Sequence, residues 1–240
     1  MAEVVAAAGG MAVTLVRPLA AAADASGVIL YMDAFGPRPA LVAMAERIAS
    51  WGHVVLVPDL FYRFGAYGPF DPATAFSDPA VRSQLIGMIG ATSQDMSVQD
   101  TGVLLGMLAE AGATGPTGTV GYCLGGGRAL TAAAAYPDRI KATASFHGGN
   151  LANDQPDSPH LRVGAISGLV YVGSAATDRS FPPEQSAKLE QALRGAQLDY
   201  VMENYAGVEH GWCVPDQTSF HATAAARHWR RLEALFGEGL

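Results

Sequence analysis

Short apolar runs alternate with helix-length segments along nearly the whole chain, and this alternation constrains the fold more than any other feature. The runs are six to eight residues long, rich in β-branched and aromatic residues, and occupy 2–7, 12–18, 27–32, 53–58, 118–123, 142–148, 168–173 and 198–205. The first two flank paired glycines and predict a hairpin. Helical patterns separate most of the others, as parallel βαβ units require, at 39–51, 98–111, 124–136, 183–195 and 218–236. The pattern predicts an α/β protein with a mostly parallel eight-stranded sheet and helices on both faces.

The chain shows no linker, repeat or change of composition, so we expect residues 1–240 to form one domain without a separate cap domain. The glycine- and proline-rich region 61–101 is expected to be a loop with short helices. Half of the residues are apolar, the net charge is −7 and no basic cluster occurs, which argues against nucleic acid and anionic membranes as partners. No apolar stretch approaches membrane-spanning length and no basic leader precedes one, so we expect a cytoplasmic protein, either a monomer or a small homo-oligomer.

Residues 121–125, GYCLG, follow the spacing G-x-S-x-G with cysteine in place of serine. A sharp turn from strand to helix needs glycine on both sides of the nucleophile, and it exposes the central side chain. The Leu124 N–H begins the helix without an intrahelical partner, so it is available to an oxyanion. Cys123 is therefore a candidate nucleophile, although a packed thiol at a tight turn is the alternative. The same glycines fit neither a dinucleotide fingerprint nor a phosphate-binding loop.

A histidine base and an acid would support the nucleophile, in the chain order nucleophile, acid, base. His210 lies in a loop between the last predicted strand and the last predicted helix. His147 follows a strand and is a candidate for lining the site, but it precedes most acid candidates. Asp178 follows a strand at the same sheet edge, while Glu184 is the second choice and fits a first-turn helix residue. The chain order and the shared sheet edge together favour Cys123, Asp178 and His210 as nucleophile, acid and base.

These segments resemble the dienelactone hydrolase family of α/β-hydrolases. The similarity is carried by GYCLGGG at 121–127, D-x-x-x-P-P-E at 178–184, EHGW at 209–212, and the stretches at 29–36 and 55–63. The resemblance implies an α/β-hydrolase fold and a carboxylic ester hydrolase with Cys123 as nucleophile, His210 as base and Asp178 as its orienting acid. It also implies an oxyanion hole formed by the backbone N–H groups of Leu124 and Ala34.

Two positions depart from the family pattern. Asp33 stands where the family has a glutamate linked to the charge state of the cysteine, and we expect Asp33 to adjust the thiol by like-charge repulsion. Val214 stands where the family has an arginine for a substrate carboxylate, and a second family arginine corresponds to Arg82.

The expected substrate is a small ester or lactone, with no metal or organic cofactor. Aromatic residues near the predicted strand ends are candidates for the pocket wall, together with Arg82 and His147; they are Phe35, Tyr62, Phe64, Tyr67 and Trp212. The alternatives are a non-catalytic binder of small ligands with a vestigial thiol, and a redox-sensing thiol. An acid–histidine pair has no use in a redox sensor.

Overall fold

The computed structural model describes residues 2–20 and 24–240, and an eight-stranded sheet runs through its centre. The strands are β1 (Ala2–Ala6), β2 (Ala12–Val16), β3 (Gly27–Tyr31), β4 (Val54–Pro58), β5 (Thr117–Tyr122), β6 (Ile140–Phe146), β7 (Leu169–Thr177) and β8 (Tyr200–Glu209). Their order across the sheet is β1-β2-β4-β3-β5-β6-β7-β8. β1 and β2 form an antiparallel hairpin, β2 also pairs antiparallel with β4, and all remaining pairs are parallel. The predicted fold class is therefore confirmed.

The central strands are apolar on both faces because helices cover both sides of the sheet. Every residue of β3, β4 and β5 is buried. Strands buried on both faces read as continuous apolar runs instead of alternating ones. This explains why the runs stand out so clearly in the sequence.

In the part of the chain that the structure describes, six α-helices accompany the sheet: α1 (Pro39–Ala49), α2 (Pro79–Ala91), α3 (Gln94–Glu110), α4 (Leu124–Ala135), α5 (Pro183–Gly195) and α6 (Ala222–Gly239). Within residues 2–20 and 24–240, none of them is long and apolar enough to cross a membrane. Five match predicted helices, and α6 begins four residues later than the pattern indicated.

The prediction of a loop with short helices over 61–101 is wrong for its second half. α2 spans thirteen residues there, and α3 begins at Gln94. α2 has a defined start because the Asp78 side chain accepts hydrogen bonds from the N–H groups of Ala80 and Val81. Only Leu85 and Met88 of this helix are buried, so it has no apolar stripe for a sequence pattern to reveal.

Parallel pairing brings the ends of several strands to one edge of the sheet. Tyr31 of β3 pairs with Gly121 of β5. Residues 33 and 123 each come two positions after one of these paired residues, so they lie just beyond the ends of neighbouring strands. Thr177 of β7 pairs with Glu209 of β8, directly before residues 178 and 210. The candidate nucleophile, acid and base are thus carried to the same edge by the register alone, as expected for ligand sites in open α/β sheets.

Candidate active site

Cys123 lies at a strained turn between β5 and α4. Its φ of 55° and ψ of −117° fall outside the regions that residues other than glycine usually adopt. A Cβ atom added to Gly121 would lie 1.9 Å from the Gly125 carbonyl oxygen, and one added to Gly125 would lie 2.3 Å from the Tyr31 carbonyl oxygen. The turn therefore requires glycine at both positions. Cys123 itself is a free thiol that is partly exposed.

His210 and Asp178 form a hydrogen-bonded pair beside the thiol. Nδ1 of His210 lies 2.7 Å from Oδ2 of Asp178, whose side chain is only 2% exposed. The other carboxylate oxygen, Oδ1, accepts hydrogen bonds from the Ser180 hydroxyl at 2.6 Å and the Ser180 N–H at 2.8 Å. Both oxygens are occupied, so the carboxylate is held in one orientation towards the imidazole.

The electrostatics of this pair favour a charged imidazole and a charged carboxylate. Burial opposes the charge on His210, but the neighbouring Cys123 sulfur and the hydrogen bond with Asp178 raise the pKa of His210 to about 10. Burial also opposes the charge on Asp178, yet its hydrogen bonds with His210 and Ser180 lower the pKa of Asp178 below its usual value.

Two backbone N–H groups near the candidate nucleophile have no backbone acceptor. Leu124 is the first residue of α4, and Ala34 follows Asp33 in the loop between β3 and α1. Within residues 2–20 and 24–240, neither N–H donates a backbone hydrogen bond. Donors of this kind at the start of a helix suit a developing negative charge.

His147 contacts the backbone of Cys123. Its Nδ1 accepts a hydrogen bond from the Cys123 N–H at 3.1 Å, and its ring centroid lies 4.7 Å from that of His210. Since Nδ1 accepts, the proton of a neutral ring is on Nε2. Burial and the charges of nearby histidines lower the pKa of His147 well below its ordinary value. This residue therefore supports the turn in its uncharged form.

Asp33 is fully buried and held by several donors. Arg38 donates from Nη1 to Oδ1 at 2.6 Å and from Nη2 to Oδ2 at 2.8 Å. Gln217 Nε2 lies 3.2 Å from Oδ2, and the Phe35 N–H donates to Oδ1 at 3.1 Å. Arg38 also binds Asp216. Sequence reasoning missed this network because its members are separated by as many as 184 positions.

The predicted pocket residues occupy varied environments. Trp212 is fully buried and packs against His147. By contrast, Phe64 and Arg82 are exposed. Tyr62 donates a hydrogen bond to Asp100. A cavity of about 860 Å³ is lined by Phe35 and Tyr67, together with apolar residues of the hairpin, of α1 and of the 65–70 loop. Cys123, Asp178 and His210 do not line it. Phe76, which the sequence did not single out, packs edge-on against Phe35 at 5.5 Å.

The alternative acid and a metal site find no support in the described residues. Glu184 is exposed in the first turn of α5. No three His, Cys, Asp or Glu side chains within residues 2–20 and 24–240 come together as metal ligands would.

Comparison with known proteins places this chain in a family. The model of the dienelactone hydrolase family matches residues 11–240. The carboxymethylenebutenolidase of Rhodococcus opacus is 28% identical over 213 residues, which cover 87% of this chain and 79% of that protein. The dienelactone hydrolase-like promiscuous phosphotriesterase P91 from metagenomic libraries superposes with a TM-score of 0.80 at 22% identity, covering 99% of this chain and 98% of that one. Thermogutta terrifontis esterase 2 superposes with a TM-score of 0.65 at 12% identity, covering 95% of this chain and 92% of that one. The match over nearly all of the sequence confirms the resemblance seen in its motifs: this chain belongs to the dienelactone hydrolase family and is a carboxylic ester hydrolase.

Proposed function

We propose that the protein hydrolyses small uncharged esters or lactones through a thioester formed on Cys123. The observation that carries this proposal is the hydrogen-bonded pair of Asp178 and His210, with the Cys123 sulfur close enough to His210 to raise its pKa. It lies at the strand ends beside two free N–H donors, of Leu124 and Ala34. A nucleophile, a base and an orienting acid in this relation define a catalytic triad by geometry.

In the acylation step, the Cys123 sulfur attacks the ester carbonyl carbon and a C–S bond forms. The raised pKa of His210 keeps the imidazole protonated at neutral pH, which stabilises the thiolate beside it. The carbonyl oxygen becomes an oxyanion that the N–H groups of Leu124 and Ala34 bind, each donor being worth about 3–4 kcal/mol in comparable sites. When the C–O bond breaks, His210 gives its proton to the leaving alkoxide.

In the deacylation step, water replaces the sulfur. His210, now neutral, takes a proton from a water molecule as the water oxygen attacks the thioester carbon. A second tetrahedral intermediate uses the same two N–H donors. The C–S bond then breaks, the acid product leaves, and the thiolate and protonated imidazole are restored. Asp178 holds the imidazole in the tautomer that both steps need.

The charges around the site favour a neutral substrate. Val214 is fully buried and offers no positive charge where the family pattern has an arginine. Arg38 is already bound to the carboxylates of Asp33 and Asp216. An anionic substrate would therefore bring a charge for which neither residue offers a partner, which is costly in a desolvated site.

Hydrolysis of p-nitrophenyl acetate, with and without prior alkylation by iodoacetamide, tests the proposal. We expect hydrolysis that alkylation of Cys123 abolishes, and an intact-protein mass increased by one acetyl group when the acyl-enzyme is trapped by acid. A folded protein that binds small esters without cleaving them would instead indicate a ligand binder with a vestigial thiol. Reversible oxidation of Cys123 without ester hydrolysis would indicate a redox sensor.

A further inference from the structure

The strongest feature outside the proposed triad is the ion-pair network of Arg38, which joins two separate loops. Its Nε lies 2.6 Å from Asp216 Oδ2 and its Nη2 lies 2.8 Å from Asp216 Oδ1. The same guanidinium makes two hydrogen bonds to Asp33. The Arg38 side chain is 10% exposed, that of Asp33 is 0% exposed, and that of Asp216 is 34% exposed. One cation thus makes paired contacts with two carboxylates that are distant in sequence.

The two loops each carry a part of the proposed chemistry. Asp33 directly precedes Ala34, a proposed oxyanion donor. Asp216 lies in the loop that follows His210, and Ser219 of this loop donates a hydrogen bond from its hydroxyl to the His210 carbonyl at 2.6 Å. The network therefore fixes the oxyanion donor relative to the base.

The network also places a carboxylate and a guanidinium at the sheet edge that carries the thiol. Asp33 comes two positions after Tyr31, and Cys123 comes two positions after Gly121, the residue that pairs with Tyr31 on the neighbouring strand. Burial opposes the charge on Arg38, but hydrogen bonds to Asp216 and Asp33 raise the pKa of Arg38 above its ordinary value, so it stays charged. The other titratable groups at this edge are His210, whose pKa the Cys123 sulfur raises, and His147 and Asp178, which contact His210. The buried Cys213 is close enough to Asp33 for that charge to raise its pKa. Without Arg38, the negative charge of the Asp33 carboxylate would lose its cationic partner.

We propose that Arg38 is a positioning residue that aligns the Ala34 N–H with His210 and neutralises Asp33 at the sheet edge that carries Cys123. This proposal rests on the proposed function for its catalytic part. Its electrostatic part concerns only the thiol and can be measured without any substrate.

The electrostatic part is tested by the pH dependence of Cys123 alkylation by iodoacetamide, followed by peptide mass spectrometry. In Arg38→Gln, the unpaired Asp33 disfavours the thiolate, so we expect the midpoint to move upward by about half to one pH unit. In Asp33→Asn, the lost negative charge moves the midpoint downward. The double variant Asp33→Asn/Arg38→Gln restores the net charge and returns the midpoint close to that of the native protein. Opposite shifts that cancel are not expected from loss of structure.

The geometric part is tested by kinetics with p-nitrophenyl acetate. Arg38→Lys keeps the charge but not the paired contacts, since an ammonium group lacks the planar fork of a guanidinium. We expect an unchanged alkylation midpoint and a kcat about 10- to 100-fold lower, with KM nearly unchanged. Asp216→Asn leaves the buried Arg38–Asp33 pair intact, so it should fold and show a smaller loss of kcat. Arg227→Gln, which removes a cation from Glu203 on β8, is the matched control and should leave kcat unchanged.

The outcomes separate the two proposals. Shifts of the same sign in Arg38→Gln and Asp33→Asn, or no shift in folded variants, would overturn the electrostatic role. Full kcat in both Arg38→Lys and Asp216→Asn would overturn the geometric role. If Cys123→Ala retained ester hydrolysis, the proposed function would fail, but the alkylation midpoints would still report the role of Arg38. Should Arg38→Gln not fold because Asp33 is left buried and unpaired, the double variant and Arg38→Lys still decide the question.

Discussion

At the scale of single residues, the two cysteines occupy different environments. Cys123 is partly exposed at the strained turn, and Cys213 is fully buried. Burial, with a contribution from the charge of Asp33, raises the pKa of Cys213 well above its usual value, so it stays a neutral thiol. We expect Cys123→Ala to abolish ester hydrolysis and Cys213→Ala to retain most of it. Initial rates with p-nitrophenyl acetate, and circular dichroism to verify folding, check this; loss of activity in the Cys213 variant alone would contradict the assignment.

The acid of the proposed triad is tested by an isosteric change. Asp178→Asn removes the acceptor that fixes the His210 tautomer, and we expect kcat to fall by about 10³- to 10⁴-fold while the protein stays folded. Glu184→Gln is the control, because Glu184 is exposed at the start of α5 and should have little effect. Steady-state kinetics of both variants distinguish the two carboxylates. The reverse result would make Glu184 the acid.

The raised pKa of His210 predicts a specific pH dependence. His210 is protonated below about pH 10, so it can protonate an alkoxide leaving group throughout the neutral range. For an ethyl ester, we expect kcat/KM to fall as the pH rises through about 10 and the imidazole loses its proton. A p-nitrophenyl ester, whose leaving group needs no proton, should show a weaker fall. This role would be contradicted if kcat/KM fell equally for the two esters at high pH, or if the fall occurred near pH 6.5.

At the scale of elements, α2 and the turn between β5 and α4 use glycine for different reasons. A Cβ atom at Gly87 or Gly90 of α2 would meet no atom within 4 Å, whereas one at Gly121 would collide with the backbone of α4. We expect Gly87→Ala and Gly90→Ala each to increase the free energy of unfolding by about 0.5–1 kcal/mol, because alanine loses less conformational entropy in a helix. Urea unfolding measures this. Gly121→Ala is the contrasting variant and should lose activity or fail to fold; an active, stable Gly121→Ala protein would contradict the steric argument.

At the scale of the whole molecule, net charge and the shape of the site act together on substrate choice. The net charge of −7 repels anionic esters, and salt screens this repulsion. The buried Val214 carries no charge and Arg38 is already paired with two carboxylates, and salt does not alter either. We expect kcat/KM to be higher for a neutral methyl ester than for the matching ester that carries a free carboxylate. Added salt should lower the ratio of kcat/KM for the neutral ester to that for the anionic ester, but the ratio should stay above one. A preference for the anionic ester would show that Arg82 or another cation binds it.

The sequence by itself determined the strands, most helices and the candidate nucleophile, because each depends on local physics. Continuous apolar runs specify strands buried on both faces, and the glycines around Cys123 specify a turn that no other residue fits. The chain order of Cys123, Asp178 and His210 also lies in the sequence, and a parallel sheet brings strand ends together whatever the loops do. α2 escaped prediction because its burial involves only Leu85 and Met88, too few for a periodic signal.

Only the tertiary structure decided how these residues are supported. The contact of His147 with the Cys123 N–H, the hydrogen bonds of Ser180 to Asp178, and the bridge from Asp33 through Arg38 to Asp216 depend on strand register and loop closure. Arg38 and Asp216 are 178 positions apart, and no local pattern relates them. Ser180 alone left a signal, since a serine two residues after an aspartate often hydrogen bonds back to it. Side chains that pair across distant loops are placed by the folded backbone, and for that reason their partners cannot be derived from periodicity or spacing.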